Sequence, residues 1–125
     1  METLGLPNFS SHLTFPKVCV YGLWHLGTVT SACLAELGYK VTGLSHDSSV
    51  VANLNLAKPP LFEPGLDELI AKHLNTGNLQ FSSDLEKTLS GSDFFILAVD
   101  TPINEHDEVD LSVLYSIIRE VAKIL

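Results

Sequence analysis

Two glycines carry the clearest chemistry in this sequence. In KVCVYGLWHLG, residues 17–27, Gly22 closes an apolar run and Gly27 opens a helical one. This is the frame of the dinucleotide-binding fingerprint G-x-G-x-x-G, with Trp24 in place of its middle glycine. A strand that reverses tightly into a helix needs backbone angles that a Cβ penalises, which Gly22 supplies. The helix N-terminus then offers unpaired N–H groups and a partial positive charge to a pyrophosphate. Gly27 lets that helix lie close to the strand. An indole at position 24 must swing aside to leave the phosphates room.

Other reactive side chains form no second constellation. Cys19 falls in the first predicted strand and Cys33 in the first predicted helix, without metal-ligand spacing. Both are expected to be buried and reduced, as in a cytoplasmic protein. The five histidines are scattered, with only His25 and His46 near the glycine turn. Lys58 and Lys72 are isolated cations. Glu105–Asp110, EHDEVD, lacks the alternating ligands and central glycine of a calcium loop and reads as a solvated turn. No catalytic or metal-ligating residue is assigned.

The elements that must position the glycine turn alternate along the chain. Lys17–Tyr21 and Lys40–Ser45 read as strands flanking a helix from Leu26 to Leu37, with Val29, Cys33 and Leu37 at helical spacing and Gly38 as its stop. A helix over about Ser48–Leu56 precedes the break at Lys58-Pro59-Pro60. Another runs from Pro64, in its first turn, to about Asn75. Leu79–Ser82 is a third strand. Ser83 to Glu86 has capping-box form and starts a short helix ending near Gly91. Asp93–Val99, DFFILAV, reads as a strand buried on both faces. Asp110 can cap a last helix with an apolar stripe of Val113, Leu114, Ile117, Ile118, Val121 and Leu125.

This alternation implies an α/β fold with a parallel sheet and crossover helices. The expected order is 3-2-1-4, a Rossmann-like sheet and one incomplete half of a doubly wound domain. Residues 1–16 read as a leader and 17–125 as the domain. The leader has neither the basic start nor the apolar core of a signal peptide. The net charge of −8 argues against nucleic acid or anionic membrane as a partner, and no apolar run approaches a membrane span.

Three segments, in this order and spacing, resemble the N-terminal domain of the UDP-glucose/GDP-mannose dehydrogenase family: KVCVYGLWHLG at 17–27, PLFEPGLDEL at 60–69, and FILAVDTPIN at 95–104 leading to VDLS. That family oxidises the C6 alcohol of a nucleotide sugar to a carboxylate, using two NAD molecules in successive steps. The resemblance implies that Gly22, Leu23, Trp24, His25, Leu26 and Gly27 hold the NAD pyrophosphate, with Leu26 packing near the cofactor. It places Ser45 at the adenosine ribose, where the family usually has an aspartate, and Val50 where a basic residue often follows. Val99 and Thr101 would meet the cofactor after the fourth strand. Trp24, Ser45 and Asp100 depart from the family pattern. Asp47 is the alternative ribose partner, although it also suits a helix start.

The family's catalytic cysteine, lysine and sugar-binding residues lie in later segments. The chain is therefore expected to be inactive alone, with a nucleotide sugar as a partner only in a complete parent. Two readings stay open: a working NAD-binding domain, or a non-catalytic remnant that binds nucleotide weakly or not at all. An apolar fourth strand at the sheet edge further predicts self-association, or a need for the missing domains.

Overall fold

The computed structural model describes residues 15–101 and 103–125. The leader expected over residues 1–16 thus lies almost wholly outside the described residues. Four parallel strands form one sheet, ordered β3-β2-β1-β4: β1 (Lys17–Tyr21), β2 (Lys40–Leu44), β3 (Leu79–Ser82) and β4 (Phe94–Leu97). Val18 pairs with Val41 on one side and with Phe94 on the other. Between strands run α1 (His25–Glu36), α2 (Ser48–Leu54), α3 (Leu66–Thr76) and α4 (Leu85–Ser90); α5 (Ser112–Ile124) follows β4.

Strand alternation splits the core into two layers. Val18, Val20, Val41, Leu79 and Phe81 face α1–α3, where Ala32, Ala35, Leu54 and Ile70 are buried. Cys19, Tyr21 and Leu44 face the other way, against Leu85 and Leu89 of α4 and Ile117 and Val121 of α5. The glycine turn leaves the sheet at the C-terminal end of β1, its central strand on the crevice side.

Several local expectations are corrected. The face α1 buries is made of small residues, Gly27, Thr28, Ser31, Ala32 and Ala35, while Cys33 and Leu37 are exposed. A helix that lies this close to a sheet has no space for large side chains on its inner face. Cys33 is therefore not a buried thiol. The helix also begins one residue early, at His25, and β2 stops at Leu44, before Ser45.

Gly65, at φ +82°, is the N-cap of α3, so Pro64 precedes the helix instead of occupying its first turn. Asp84, not Ser83, caps α4 by accepting from the Lys87 N–H at 3.0 Å. Leu111 is the N-cap of α5, yet Asp110 still accepts from the Ser112 N–H at 2.9 Å. β4 is shorter than its apolar run and is not buried on both faces: Phe94 is 59% exposed, and Phe95 to Leu97 are half-buried. Among the described residues β4 has a neighbour on one side only. Of the α5 stripe, Ile117 and Val121 are covered, whereas Val113, Ile118 and Leu125 are exposed.

Candidate functional site

Gly22 and Gly27 are both required by the packing at the mouth of the sheet. Gly22 has φ +106°, and a Cβ there would lie 2.5 Å from the Ala98 carbonyl oxygen. A Cβ on Gly27 would strike the Gly22 carbonyl oxygen, with Ala98 Cβ at 3.5 Å. The Gly22 N–H donates to the Leu44 carbonyl at 3.0 Å, and the Ala98 N–H to the Tyr21 carbonyl at 2.8 Å. The glycine turn is thereby fixed to the ends of both β2 and β4.

Trp24 is the N-cap of α1, in extended conformation, and its side chain makes no capping bond. The first intrahelical bond at that end runs from the Thr28 N–H to the Trp24 carbonyl at 3.1 Å. The N–H groups of His25, Leu26 and Gly27 therefore have no intrahelical acceptor. No acidic residue occupies that first turn. Such a terminus favours an anion, because its aligned peptide dipoles leave partial positive charge there.

The remaining predicted site residues separate into two groups. Leu23 is buried in the core over Gly43, so only its backbone is at the rim. Trp24 and Leu26 are 52% and 64% exposed, the indole standing half in solvent. His25 Nε2 lies 3.5 Å from Glu63 Oε2, which brings the EPG segment beside the turn. Val99 is half-buried against Gly22, where its Cγ1 would be 3.0 Å from an added Cβ. Asp100 and Thr101 are exposed just beyond it, on the same rim as the glycines.

Ser45 follows β2 directly, and its N–H donates to the Ser82 carbonyl at 3.2 Å. Its hydroxyl accepts from the Asp47 N–H at 3.1 Å. Asp47 is occupied as the N-cap of α2: Oδ1 accepts from the Ser49 hydroxyl at 2.6 Å and from the N–H groups of Ser49 and Val50. The Ser49 hydroxyl and those amides hold its carboxyl below the usual aspartate range. Val50 packs on the core.

A cavity of about 410 Å³ adjoins these strand ends, lined by Tyr21, His46, Val113, Ser116, Ile117 and Glu120 among others. His46 packs edge-on against Tyr21 at 5.5 Å and lies 3.6 Å from Glu120 Oε2. Burial, then the Glu120 charge, raises the Tyr21 phenol above its ordinary pKa. Sequence reasoning noticed His46 only for its position near the turn and missed Tyr21 and Glu120. No local signal joins residues 21, 46 and 120.

Among the described residues no group of three or more His, Cys, Asp or Glu could hold a metal. Burial pushes the Cys19 thiol up to about 12, which leaves it protonated and unreactive at neutral pH. The site is thus built for binding: a glycine cradle with no room for a Cβ, free N–H groups and a flanking cavity. NAD fits this donor set, since its pyrophosphate suits the α1 terminus.

The NAD-binding domain of the UDP-glucose/GDP-mannose dehydrogenase family matches residues 16–125. The UDP-glucose 6-dehydrogenase of Rhizobium meliloti is 36% identical over 107 residues, 85% of this chain and 24% of that protein. The GDP-mannose 6-dehydrogenase of Pseudomonas syringae pv. syringae is 30% identical over 109 residues, 87% of this chain and 25% of that one. Among solved structures, a ternary complex of GDP-mannose dehydrogenase from Pseudomonas aeruginosa superposes with TM-score 0.82 at 30% identity, over 86% of this chain and 24% of that one. The UDP-glucose dehydrogenase of Pyrobaculum islandicum also gives 0.82 at 30% identity, over 93% and 26%. The chain spans about a quarter of the length of these relatives. It belongs to the UDP-glucose/GDP-mannose dehydrogenase family and is an NAD-binding domain of that family.

Proposed function

We propose that residues 17–125 hold NAD for a nucleotide-sugar 6-dehydrogenase, in which a UDP- or GDP-sugar is oxidised at C6 to the carboxylate. One observation carries this reading: α1 starts directly at a glycine turn too tight for a Cβ, and its first three N–H groups, which have no intrahelical acceptor, are left for the pyrophosphate. His25, Leu26 and Gly27 donate through their backbones, Ser45 meets the adenosine ribose, and Val99 and Thr101 close the crevice from the β4 side. When bound, NAD would supply the oxidant: going from alcohol to carboxylate releases two hydrides, so two NAD molecules would be used in succession, with water supplying the second carboxylate oxygen.

This chain positions the cofactor and has no turnover of its own. Cys19 is sealed in the core, and the exposed Cys33 lies on α1, away from the glycine turn. Sugar binding and catalysis belong to segments of a longer parent, which the fourfold greater length of the relatives supports. The exposed β4 edge docks those segments, or a second copy in their absence. We place the protein in the cytoplasm; among the described residues no helix is long and apolar enough to cross a membrane.

A remnant that binds nucleotide weakly is the second reading, favoured by the bulk of Trp24 and the missing carboxylate at Ser45. Amide-shift mapping of the ¹⁵N-labelled chain with NAD distinguishes them. Shifts at Gly22–Gly27, Ser45 and Val99–Thr101 are expected for the first. Absence of shifts at those residues at millimolar NAD would leave the second.

A further inference from the structure

We infer that the sheet face opposite α1–α3 carries a second anion site, which takes a small phosphate-bearing molecule between β2, β3 and α4. A cavity of about 470 Å³ lies there, within the size range of small-molecule sites. Lys17, Lys40 and Lys87 line it, and no aspartate or glutamate does. That composition runs against the chain as a whole, whose 15 acidic residues outnumber its 7 Lys and Arg.

Central strands of parallel sheets are ordinarily apolar on both faces. β2 is central, flanked by β1 and β3, yet its face toward this cavity shows Lys40 and Thr42. Gln80 of β3 adjoins them and donates to the Thr42 hydroxyl at 3.1 Å. α4 has only six residues, so its Leu85 and Leu89 cover Leu44 and Cys19 but do not reach across β3. Its outer side turns Lys87 and Thr88 toward the gap.

Among the described residues the three ammonium groups are not neutralised. Among the described residues the ion pairs of lysine are those of Lys72 with Glu36, and none involves Lys17, Lys40 or Lys87. Beside Lys17, the Asp93 carboxylate accepts from the Lys17 backbone N–H at 2.8 Å. Lysines backed by hydroxyl and amide groups suit phosphate oxygens: point charges neutralise the anion while neutral donors orient it. The site lies away from the glycine turn and does not depend on the NAD reading.

The test is an amide-shift titration of the full chain with inorganic pyrophosphate, repeated on the K40Q/K87Q variant. Shifts at Lys40, Thr42, Gln80, Lys87 and Thr88 are expected, saturating in the unmodified chain and about tenfold weaker in the variant. Shifts at Gly22–Gly27, which report the cofactor cradle, are expected to be unchanged by the two substitutions. Shifts confined to Gly22–Gly27, or none at all, would overturn the proposal. So would preferential binding of a synthetic peptide of residues 105–110, which would assign the groove to acidic protein segments. If the variant fails to fold, the shift map of the unmodified chain decides alone.

Discussion

Replacing Gly22 by alanine tests the cradle through two separable effects. Its φ of +106° is a conformation L-residues rarely adopt, at a cost of about 1–2 kcal/mol. The new Cβ also lies 2.5 Å from the Ala98 carbonyl oxygen and 2.8 Å from its carbon, backbone atoms of a residue whose N–H is bonded to the Tyr21 carbonyl. Forcing the strands apart adds about 1–3 kcal/mol. The total, roughly 2–5 kcal/mol, is a large part of the 5–15 kcal/mol that stabilises an ordinary domain. Gly65 separates the two effects: its φ is +82°, but a Cβ there meets nothing within 4 Å. Gly65→Ala should therefore lose about 1–2 kcal/mol, from conformation alone. Urea denaturation of the purified chains, followed by far-ultraviolet circular dichroism, gives both values. Equal losses for Gly22→Ala and Gly65→Ala would refute the close approach of the turn to β4.

Ser45→Asp should tighten NADH binding several-fold to tenfold, because a charge-assisted bond to ribose exceeds a neutral one by about 1 kcal/mol; unchanged or weaker fluorescence-titration affinity would remove Ser45 from the site. Glu36 accepts from His73 at 2.5 Å and from Lys72 at 2.9 and 3.1 Å, which holds its carboxyl below the usual glutamate range. A lowered folded-state pKa gives stability that is present above the unfolded value of about 4.3 and is lost as pH falls through the folded one. Thermal melts between about pH 5 and pH 3 should therefore show a shallower decline for Glu36→Gln than for the unmodified chain, and identical slopes would dismiss the clasp. Phe94→Lys places a charge on the exposed β4 edge and should reduce self-association in sedimentation velocity; undiminished association would mean that another surface is responsible.

The sheet was largely legible because its signals are local. β1 and β3 begin and end where their apolar runs meet turn residues, and the strand order followed from the glycine turn and the crossovers. What the sequence did not disclose depends on neighbours. The order 3-2-1-4 already puts β4 at the edge, but the DFFILAV run does not show that its faces are only half covered, because that depends on helices distant in sequence. In α1 the helical spacing marks Val29, Cys33 and Leu37, while the close approach to the sheet selects the small residues. Ser83 and Asp84 are both good caps, and one residue of register decided between them. At the site, Gly22 and Gly27 announced themselves through backbone demands. The Tyr21–His46–Glu120 wall and the contact of His25 with Glu63 join distant segments and carry no local mark.

Trp24, the single tryptophan of the chain, stands at the N-cap of α1 with its indole half exposed, beside the proposed pyrophosphate. Its fluorescence during a titration with NADH measures the central claim directly. Saturable quenching with one equivalent of NADH, accompanied by energy transfer to the dihydronicotinamide, is the predicted result. A linear, non-saturating response up to millimolar NADH would contradict NAD binding by this domain.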